Sequence, residues 1–164
     1  MNVMTSQDVL ALHGKLKGLG IRIWIDGGWC IDALLGRQTR EHKDLDVAIE
    51  ARDVPRARDL LEGEGYREVR RESEWNFVMG DRVGREIDLH AFVLDASGRV
   101  AEGILYPNGS LTGTGTIDGV GVRCIGAEQM VAFHRRRPNR ERDAAAIAEL
   151  CTRFGIPHPA KTNR

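Results

Sequence analysis

A pair of glycines between an apolar segment and a helical pattern restricts the fold of this chain more than any other feature. Residues 21–25 are typical of a short buried strand, and Gly27 and Gly28 follow after Asp26. Glycines let the backbone turn tightly where a side chain would block a bulky ligand. The free N–H groups at the start of the next helix, predicted over 29–35, form an anion site that the helix dipole strengthens. The pattern therefore predicts a strand, a turn suited to phosphate, and a helix.

Asp44 and Asp46 form a carboxylate pair at the start of a second apolar strand, predicted to end near Glu50. Because side chains alternate along a strand, the two carboxylates lie on one face while Leu45 and Val47 face the core. Carboxylates that point outward from a strand suit Mg²⁺ with bound phosphates, since this cation prefers oxygen ligands.

Asp88 supplies a third carboxylate on a strand predicted over 85–93. One face of this strand carries Ile87, Leu89, Ala91 and Val93, and the other carries Glu86, Asp88 and His90. If this strand pairs beside Asp44 and Asp46, Asp88 points into the same site. Phosphoryl chemistry uses two metal ions roughly 3.5–4 Å apart, and three converging carboxylates can hold them.

Segments 27–29, 40–46 and 87–90 together resemble the small antibiotic nucleotidyltransferases, which inactivate lincosamides and, in a neighbouring branch, aminoglycosides. The resemblance covers most of residues 7–155 and extends to the polymerase-beta-like nucleotidyltransferase superfamily. It implies an α+β fold with a mixed β-sheet flanked by helices. It also implies Mg²⁺ as cofactor, ATP or another nucleoside triphosphate as donor, transfer of a nucleoside monophosphate to a hydroxyl, and a homodimer with sites near its interface.

The same resemblance assigns roles to single residues. Asp44 and Asp46 become metal ligands. Asp88 becomes either a third metal ligand or the base that accepts the hydroxyl proton. Gly27 and Gly28 become the turn that binds phosphate.

Four further residues are candidates for the site. Arg40 is suited to phosphate oxygens because its guanidinium forms a planar fork of donors. His42 either contacts the triphosphate or acceptor, or holds loop backbone, and the resemblance favours the functional role. His90 is either a support for Asp88 or an acceptor contact. Tyr106, with residues 104 and 105, offers contacts to the acceptor.

Length and composition fit a single compact enzyme. The 164 residues suit one domain, with 1–95 as the catalytic core and 96–164 as the acceptor-shaping and C-terminal helical part. A formal net charge of zero argues against nucleic acid as a partner. No segment is long or apolar enough to span a membrane and the first residues lack a secretion-signal pattern, so we expect a cytoplasmic protein. The three cysteines, Cys30, Cys124 and Cys151, lack metal-site spacing and are expected to be reduced and buried.

Caps and breakers predict the other elements. Thr5 and Asp8 form a capping box at the start of a first helix that ends at Gly20. The remaining predictions are a helix over 54–61, strands over 66–71 and 75–79, a turn at 95–98, a glycine-rich loop stretch over 106–119, a helix over 127–136, and a last helix capped by Asn139 with Ala144, Ile147, Cys151 and Phe154 buried.

The second half of the chain bears on the acceptor. The basic run at 134–140 departs from the family pattern, in which an aromatic-containing turn follows the histidine. Such a run is usually a solvated face, and the alternative is contact with nucleotide phosphate or with an unusual acceptor. Residues 96–127 contain only two acids, Glu102 and Asp118, whereas a polycationic aminoglycoside prefers an acid-rich pocket.

The sequence thus favours Mg²⁺-dependent adenylylation of a hydroxyl on a small, lincosamide-like antibiotic. An aminoglycoside acceptor is the alternative within the same enzyme class. A non-catalytic nucleotide-binding or antitoxin-like partner protein is the alternative from another class. Retention of all three carboxylates argues against this last function, because clustered charge is unfavourable and is commonly lost with activity.

Overall fold

A mixed eight-stranded sheet organises the fold, and five helices pack on it in the described part of the chain, residues 3–137 and 141–158 of a computed structural model. The fold is α+β, which confirms the prediction. The helices are α1 (Ser6–Gly18), α2 (Gly27–Leu35), α3 (Val54–Gly63), α4 (Ala127–Arg135) and α5 (Glu141–Phe154). The strands are β1 (Ile23–Asp26), β2 (Asp44–Glu50), β3 (Arg67–Arg71), β4 (Asn76–Gly80), β5 (Glu86–Leu94), β6 (Val100–Gly103), β7 (Gly113–Ile117) and β8 (Val120–Cys124).

The strand order places the three predicted segments of the site side by side. The sheet runs β3-β4-β5-β2-β1-β8-β7, with β6 added to β5. β2 pairs with β1 in antiparallel orientation and with β5 in parallel orientation. In this register Asp46 lies opposite Asp26 on one side and opposite Asp88 on the other. The predicted pairing of the Asp88 strand beside Asp44 and Asp46 is confirmed.

Local signals at the first two helices act as predicted. Thr5 caps α1: the Thr5 hydroxyl accepts a hydrogen bond from the Asp8 backbone N–H, and the Asp8 carboxylate accepts one from the Thr5 N–H. Gly36 ends α2 in the left-handed conformation, with φ of 73°. α2 begins at Gly27, two residues before its predicted start, so both glycines belong to the first helical turn.

The alternation of β5 fails at its end. Phe92 is buried, with its ring centroid 5.7 Å from that of Trp24 and 6.0 Å from that of Tyr106. Val93, predicted on the core face, is 36% exposed. The pairing of β5 with β6 shifts register between Val93 and Leu94, so the strict two-residue period does not extend to this point.

The glycine-rich stretch is a sheet hairpin where the sequence predicts loop. β7 and β8 pair from Gly113 to Cys124 around a turn at Asp118, whose φ is 47°. A Cβ on Gly113 would lie 2.5 Å from the carbonyl oxygen of Cys124, and one on Gly115 would lie 2.4 Å from that of Ala33 in α2. Close backbone contacts therefore select glycine inside β7.

A Gly115→Ala substitution is expected to lower the free energy of unfolding by about 1–3 kcal/mol, because the new methyl overlaps the backbone of α2. Urea denaturation measures this. Gly121→Ala on β8 is the matched control, since a Cβ there meets nothing within 4 Å. Equal stability losses in the two variants would contradict the packing explanation.

The last helix buries half of the predicted stripe, since Ile147 and Cys151 are buried as predicted. The buried residues of α5 are Asp143, Ala146, Ile147, Leu150 and Cys151. Ala144 is exposed and Phe154 is 46% exposed, so both predictions are wrong. The Arg40 guanidinium pairs with the buried Asp143, which places a charged residue on the core-facing stripe of the helix. The predicted cap, Asn139, lies outside the described residues.

Three smaller expectations concern the whole chain. Cys30, Cys124 and Cys151 are free and buried, as predicted. Of the helices in the described ranges, none has the length and apolar character needed to cross a membrane. The division at residue 95 stays a prediction, and β6, β7 and β8 belong to the same sheet as the first five strands.

Candidate active site

An open cleft lies over the carboxylates of β1, β2 and β5. One wall comes from these strands and the start of α2, and it carries Asp26, Gly27, Ile31, Asp46, Asp88 and His90. The opposite wall comes from α4 and the residues after it, and it carries Met130, Phe133, His134 and Arg137. The first wall is acidic, while the second is apolar and basic.

Asp26, Asp46 and Asp88 form a row across three neighbouring strands. His90, two residues beyond Asp88 on the same face, places its Nε2 3.5 Å from Asp88 Oδ1 and 3.8 Å from Asp46 Oδ1. The backbone register alone thus gathers three carboxylates and an imidazole at one end of the cleft.

The crowding of these groups alters their protonation equilibria. Burial raises the pKa of Asp46; the neighbouring His90 imidazole lowers it, but the charges of Asp44 and Asp26 add to the rise. Burial also raises the pKa of Asp88, against the opposing effect of His90 and Asn76. Burial by itself would lower the pKa of His90, yet the neighbouring carboxylates of Asp46 and Asp88 outweigh it and raise the pKa. The His90 imidazole therefore offsets only part of the effect of burial and repulsion on the two carboxylates.

The donor set fits a divalent cation. Asp46, Asp88 and His90 each offer one ligand atom, and these atoms lie within 4.8 Å of one another. Two carboxylates whose ionised forms are disfavoured by burial gain most from a cation between them. Asp44 lies on the same face as Asp46 but is exposed and outside this group of three.

The side chain of Asn76 orients Asp88, a role that the sequence did not predict. Its side-chain amide donates to Asp88 Oδ1 at 2.5 Å and to the Leu89 carbonyl at 3.0 Å. One oxygen of Asp88 is thereby fixed by the neighbouring strand β4. The only signal in the sequence is a polar residue beside an apolar strand, which is too common to be informative.

The glycine turn packs directly on the carboxylate row. Asp26 caps α2 by accepting a hydrogen bond from the Gly27 N–H at 2.7 Å. Gly27 has a φ of 60°, and a Cβ there would lie 2.1 Å from Asp46 Oδ2. Glycine is therefore required both for the backbone conformation and for the approach of Asp46.

Gly28 lies against Arg40 and His42, away from the residues that line the cleft. A Cβ on Gly28 would lie 2.6 Å from His42 Nδ1 and 2.7 Å from Arg40 Nη2. Arg40 Nε donates to Asp143 Oδ1 at 2.8 Å, which joins this loop to α5. His42 is buried, and its Nε2 lies 2.6 Å from Asp32 Oδ2. The predicted nucleotide contacts of these three residues stay predictions.

Tyr106 reaches the site through another residue. It is 8% exposed, and its hydroxyl donates to Asp26 Oδ2 at 2.8 Å. Burial and the charge of Asp26 raise the pKa of Tyr106, which keeps the hydroxyl protonated as a donor. Asp26 is the cleft residue that the sequence left without a role, although its position before the glycine pair is a signal for a helix cap.

The chain is similar to known proteins in sequence and in fold. A sequence profile of the aminoglycoside-2''-adenylyltransferase family matches residues 8–150. A lincosamide resistance protein of Staphylococcus haemolyticus is 26% identical over 156 residues, covering 91% of this chain and 96% of the relative. A 2''-aminoglycoside nucleotidyltransferase of Escherichia coli is 34% identical over 136 residues, covering 78% of this chain and 73% of the relative. The crystal structure of the lincosamide antibiotic adenylyltransferase LnuA, lincomycin-bound, has a similar fold, with a TM-score of 0.81 at 22% identity over 95% of this chain and all of the other.

Proposed function

Since the chain belongs to the aminoglycoside-2''-adenylyltransferase family, we propose that it transfers AMP from ATP, with Mg²⁺, to a hydroxyl of a small antibiotic. Antibiotic nucleotidyltransferases of both branches are its relatives, one acting in lincosamide resistance and one on aminoglycosides. The observation that carries the proposal is the carboxylate row beside the start of α2, because it joins a cation site to an anion site.

The transfer forms one phosphorus–oxygen bond, breaks another, and releases the hydroxyl proton to Asp88 or to solvent. The acceptor oxygen attacks the α-phosphorus, the bond from that phosphorus to the bridging oxygen breaks, and pyrophosphate leaves with the electron pair. Asp44 and Asp46 would hold Mg²⁺, which supplies positive charge to the phosphate oxygens. Asp88 either joins them as a ligand or takes the hydroxyl proton on the oxygen that Asn76 leaves free.

The turn and its neighbours would bind the triphosphate. Gly27 brings the start of α2 against Asp46, so phosphate oxygens meet the helix N-terminus next to the cation site. Arg40 and His42, packed on Gly28, would bind the nucleotide next to this turn and hold the turn from behind. His90 would contact either the carboxylates or the acceptor, since it lines the cleft between Asp46 and Asp88.

The second wall of the cleft supports a lincosamide-like acceptor. Its described residues are Met130, Phe133, His134 and Arg137, and none of them is acidic. The only acids of residues 96–127, Glu102 and Asp118, lie exposed on β6 and at the β7–β8 turn, and neither lines the cleft. Percent identity does not decide between acceptors, because the aminoglycoside relative is more identical and the lincosamide relative is matched over more of its length.

Product analysis tests the proposed reaction. The protein is incubated with Mg²⁺, each nucleoside triphosphate in turn, and a panel of lincosamides and aminoglycosides, and the products are weighed by mass spectrometry. A mass increase of one nucleoside monophosphate on an antibiotic supports the proposal. Nucleotide binding with no transfer to any hydroxyl would favour the non-catalytic partner protein instead. The expected homodimer is measured separately by sedimentation.

The acceptor is expected to be a lincosamide and not a polycation. A cation bound to Asp46 and Asp88 neutralises much of their charge, so several ammonium groups would need further acids, which the second wall lacks. The specificity constants for lincomycin and tobramycin are compared at two salt concentrations. Efficient, strongly salt-sensitive transfer to tobramycin with no lincomycin product would refute this expectation.

A further inference from the structure

We infer that Arg137 binds the β- and γ-phosphates of the nucleotide from the wall opposite the carboxylates and stabilises the pyrophosphate as it leaves. The inference rests on the proposed transfer reaction and selects one residue of the basic run, for which the sequence left open a solvated face and contact with nucleotide phosphate or with an unusual acceptor.

The three consecutive arginines after α4 differ in their surroundings. Arg135 Nη2 donates to the Pro157 carbonyl at 2.7 Å, so it fastens the end of α4 to the segment after α5. Arg136 is the C-cap of α4 and is exposed outside the cleft. Arg137 is the one of the three that lines the cleft with Asp46 and Asp88.

The backbone of Arg137 is fixed by a hydrogen bond, whereas its side chain is free to bind a ligand. Its N–H donates to the His134 carbonyl at 3.3 Å, which continues the helical turn. Within the described residues, its guanidinium makes no hydrogen bond or ion pair with any side chain, including those of Asp46 and Asp88. Its charge is thus available to a ligand in the cleft.

The charge distribution of the cleft requires such a cation. The acidic wall, Asp26, Asp46 and Asp88, repels any phosphate oxygen that a metal ion does not cover. Phosphate oxygens that neither a metal ion nor the N-terminus of α2 covers would face the second wall, which Arg137 lines together with the apolar residues Met130 and Phe133. A guanidinium presents paired donors that match two phosphate oxygens, and it stays protonated at any working pH.

The interaction between Arg137 and the phosphates becomes stronger during the reaction. As the bond between the α-phosphorus and the bridging oxygen breaks, the electron pair stays on the pyrophosphate oxygen and negative charge accumulates there. The acceptor oxygen forms the new bond to the α-phosphorus, and its proton leaves toward Asp88 or solvent. A fixed cation near the leaving group stabilises the transition state more than the ground state, so Arg137 is expected to affect turnover as well as affinity.

The test compares Arg137→Gln with Arg136→Gln, its exposed neighbour outside the cleft. Calorimetry measures the affinity for α,β-methylene-ATP with Mg²⁺ and, separately, for AMP. Arg137→Gln is expected to weaken binding of the triphosphate analogue about 10–100-fold and to leave AMP binding unchanged, because only the former carries β- and γ-phosphates. Arg137→Lys is expected to recover part of the loss, and Arg136→Gln to match the wild type. Thermal unfolding midpoints of all variants are expected to agree, since both side chains are exposed.

Distinct outcomes separate this inference from the proposed function. Unchanged affinity of Arg137→Gln for the analogue, an equal loss for AMP, or an effect confined to the KM of the antibiotic would each overturn the role of Arg137. A wild-type protein that binds the analogue through Arg137 but adenylylates no antibiotic would sink the proposed function and leave the phosphate contact standing. A wild-type protein that binds no nucleotide would overturn both.

Discussion

Asp46→Asn is expected to reduce the transfer rate by about a thousandfold or more without unfolding the protein. Asp46 lies at the centre of the carboxylate row, opposite Asp26 and Asp88, and its oxygen lies within reach of a cation shared with Asp88 and His90. Losing one charged metal ligand removes several kcal/mol of transition-state stabilisation, at roughly 1.4 kcal/mol for each factor of ten. The same direction is expected for Asp44→Asn, whose carboxylate shares the face.

The thermal stability of the Asp46→Asn protein shows whether a loss of activity occurs without unfolding. Burial and the neighbouring charges of Asp44 and Asp26 raise the pKa of Asp46, so the ionised carboxylate is unfavourable in the folded state at neutral pH. Asn at this position removes that charge, and the thermal midpoint is expected to stay level or rise. Asp59→Asn on the exposed face of α3 is the matched variant and is expected to keep full activity. Near-normal turnover of folded Asp46→Asn would rule out the metal assignment.

Asp88→Asn is expected to cut turnover by about a hundredfold or more, with the accompanying change in affinity revealing its role. If Asp88 is the base, the affinity for Mg²⁺ with a non-hydrolysable triphosphate stays nearly intact. If Asp88 is a ligand, that affinity falls as well. Calorimetric titration of Mg²⁺ and the analogue decides between the two, and an active variant with normal affinity would exclude both roles.

The faces of the strands that form the site could be predicted because polar and apolar residues alternate around the carboxylates. Asp44 and Asp46 flank the buried Leu45, and Asp88 and His90 flank the buried Leu89, so the shared face followed from periodicity, whereas the pairing of the two strands was a condition of the prediction. The match to family members then joined the two strands to the glycine turn.

Contacts between residues distant in the chain could not be predicted. Asn76 orients Asp88 from the neighbouring strand, and the buried Asp143 pairs with Arg40, which reaches it from a loop about a hundred residues earlier. A buried acid on a helix contradicts simple amphipathic patterning, which explains why the stripe of α5 was misplaced. Each of these features depends on tertiary packing rather than on local pattern.

The glycines of β7 explain why the sequence did not predict the β7–β8 hairpin. Gly113 and Gly115 indicate turns by their type, yet both lie in a strand whose backbone passes too close to Cys124 and to Ala33 for a side chain. Because of its many glycines, this segment was predicted as a loop and not as the strands β7 and β8. The sequence also could not show which of the three arginines lines the cleft, because the basic run looks uniform. Only the position of Arg137 after the end of α4 distinguishes it.

The parallel pairing of β2 and β5 limits where this chain can gain or lose residues during evolution. Asp88 reaches the row because it lies opposite Asp46 in an uninterrupted register. One residue inserted in β5 before Asp88 would turn that carboxylate to the core face and place an aliphatic side chain in the cleft. The turn before β5, where Asp81 accepts hydrogen bonds from the Val83 and Arg85 N–H groups, carries no such constraint. Insertions that preserve the site are therefore expected in turns of this kind, while the strand itself must keep a fixed count of residues up to its carboxylate.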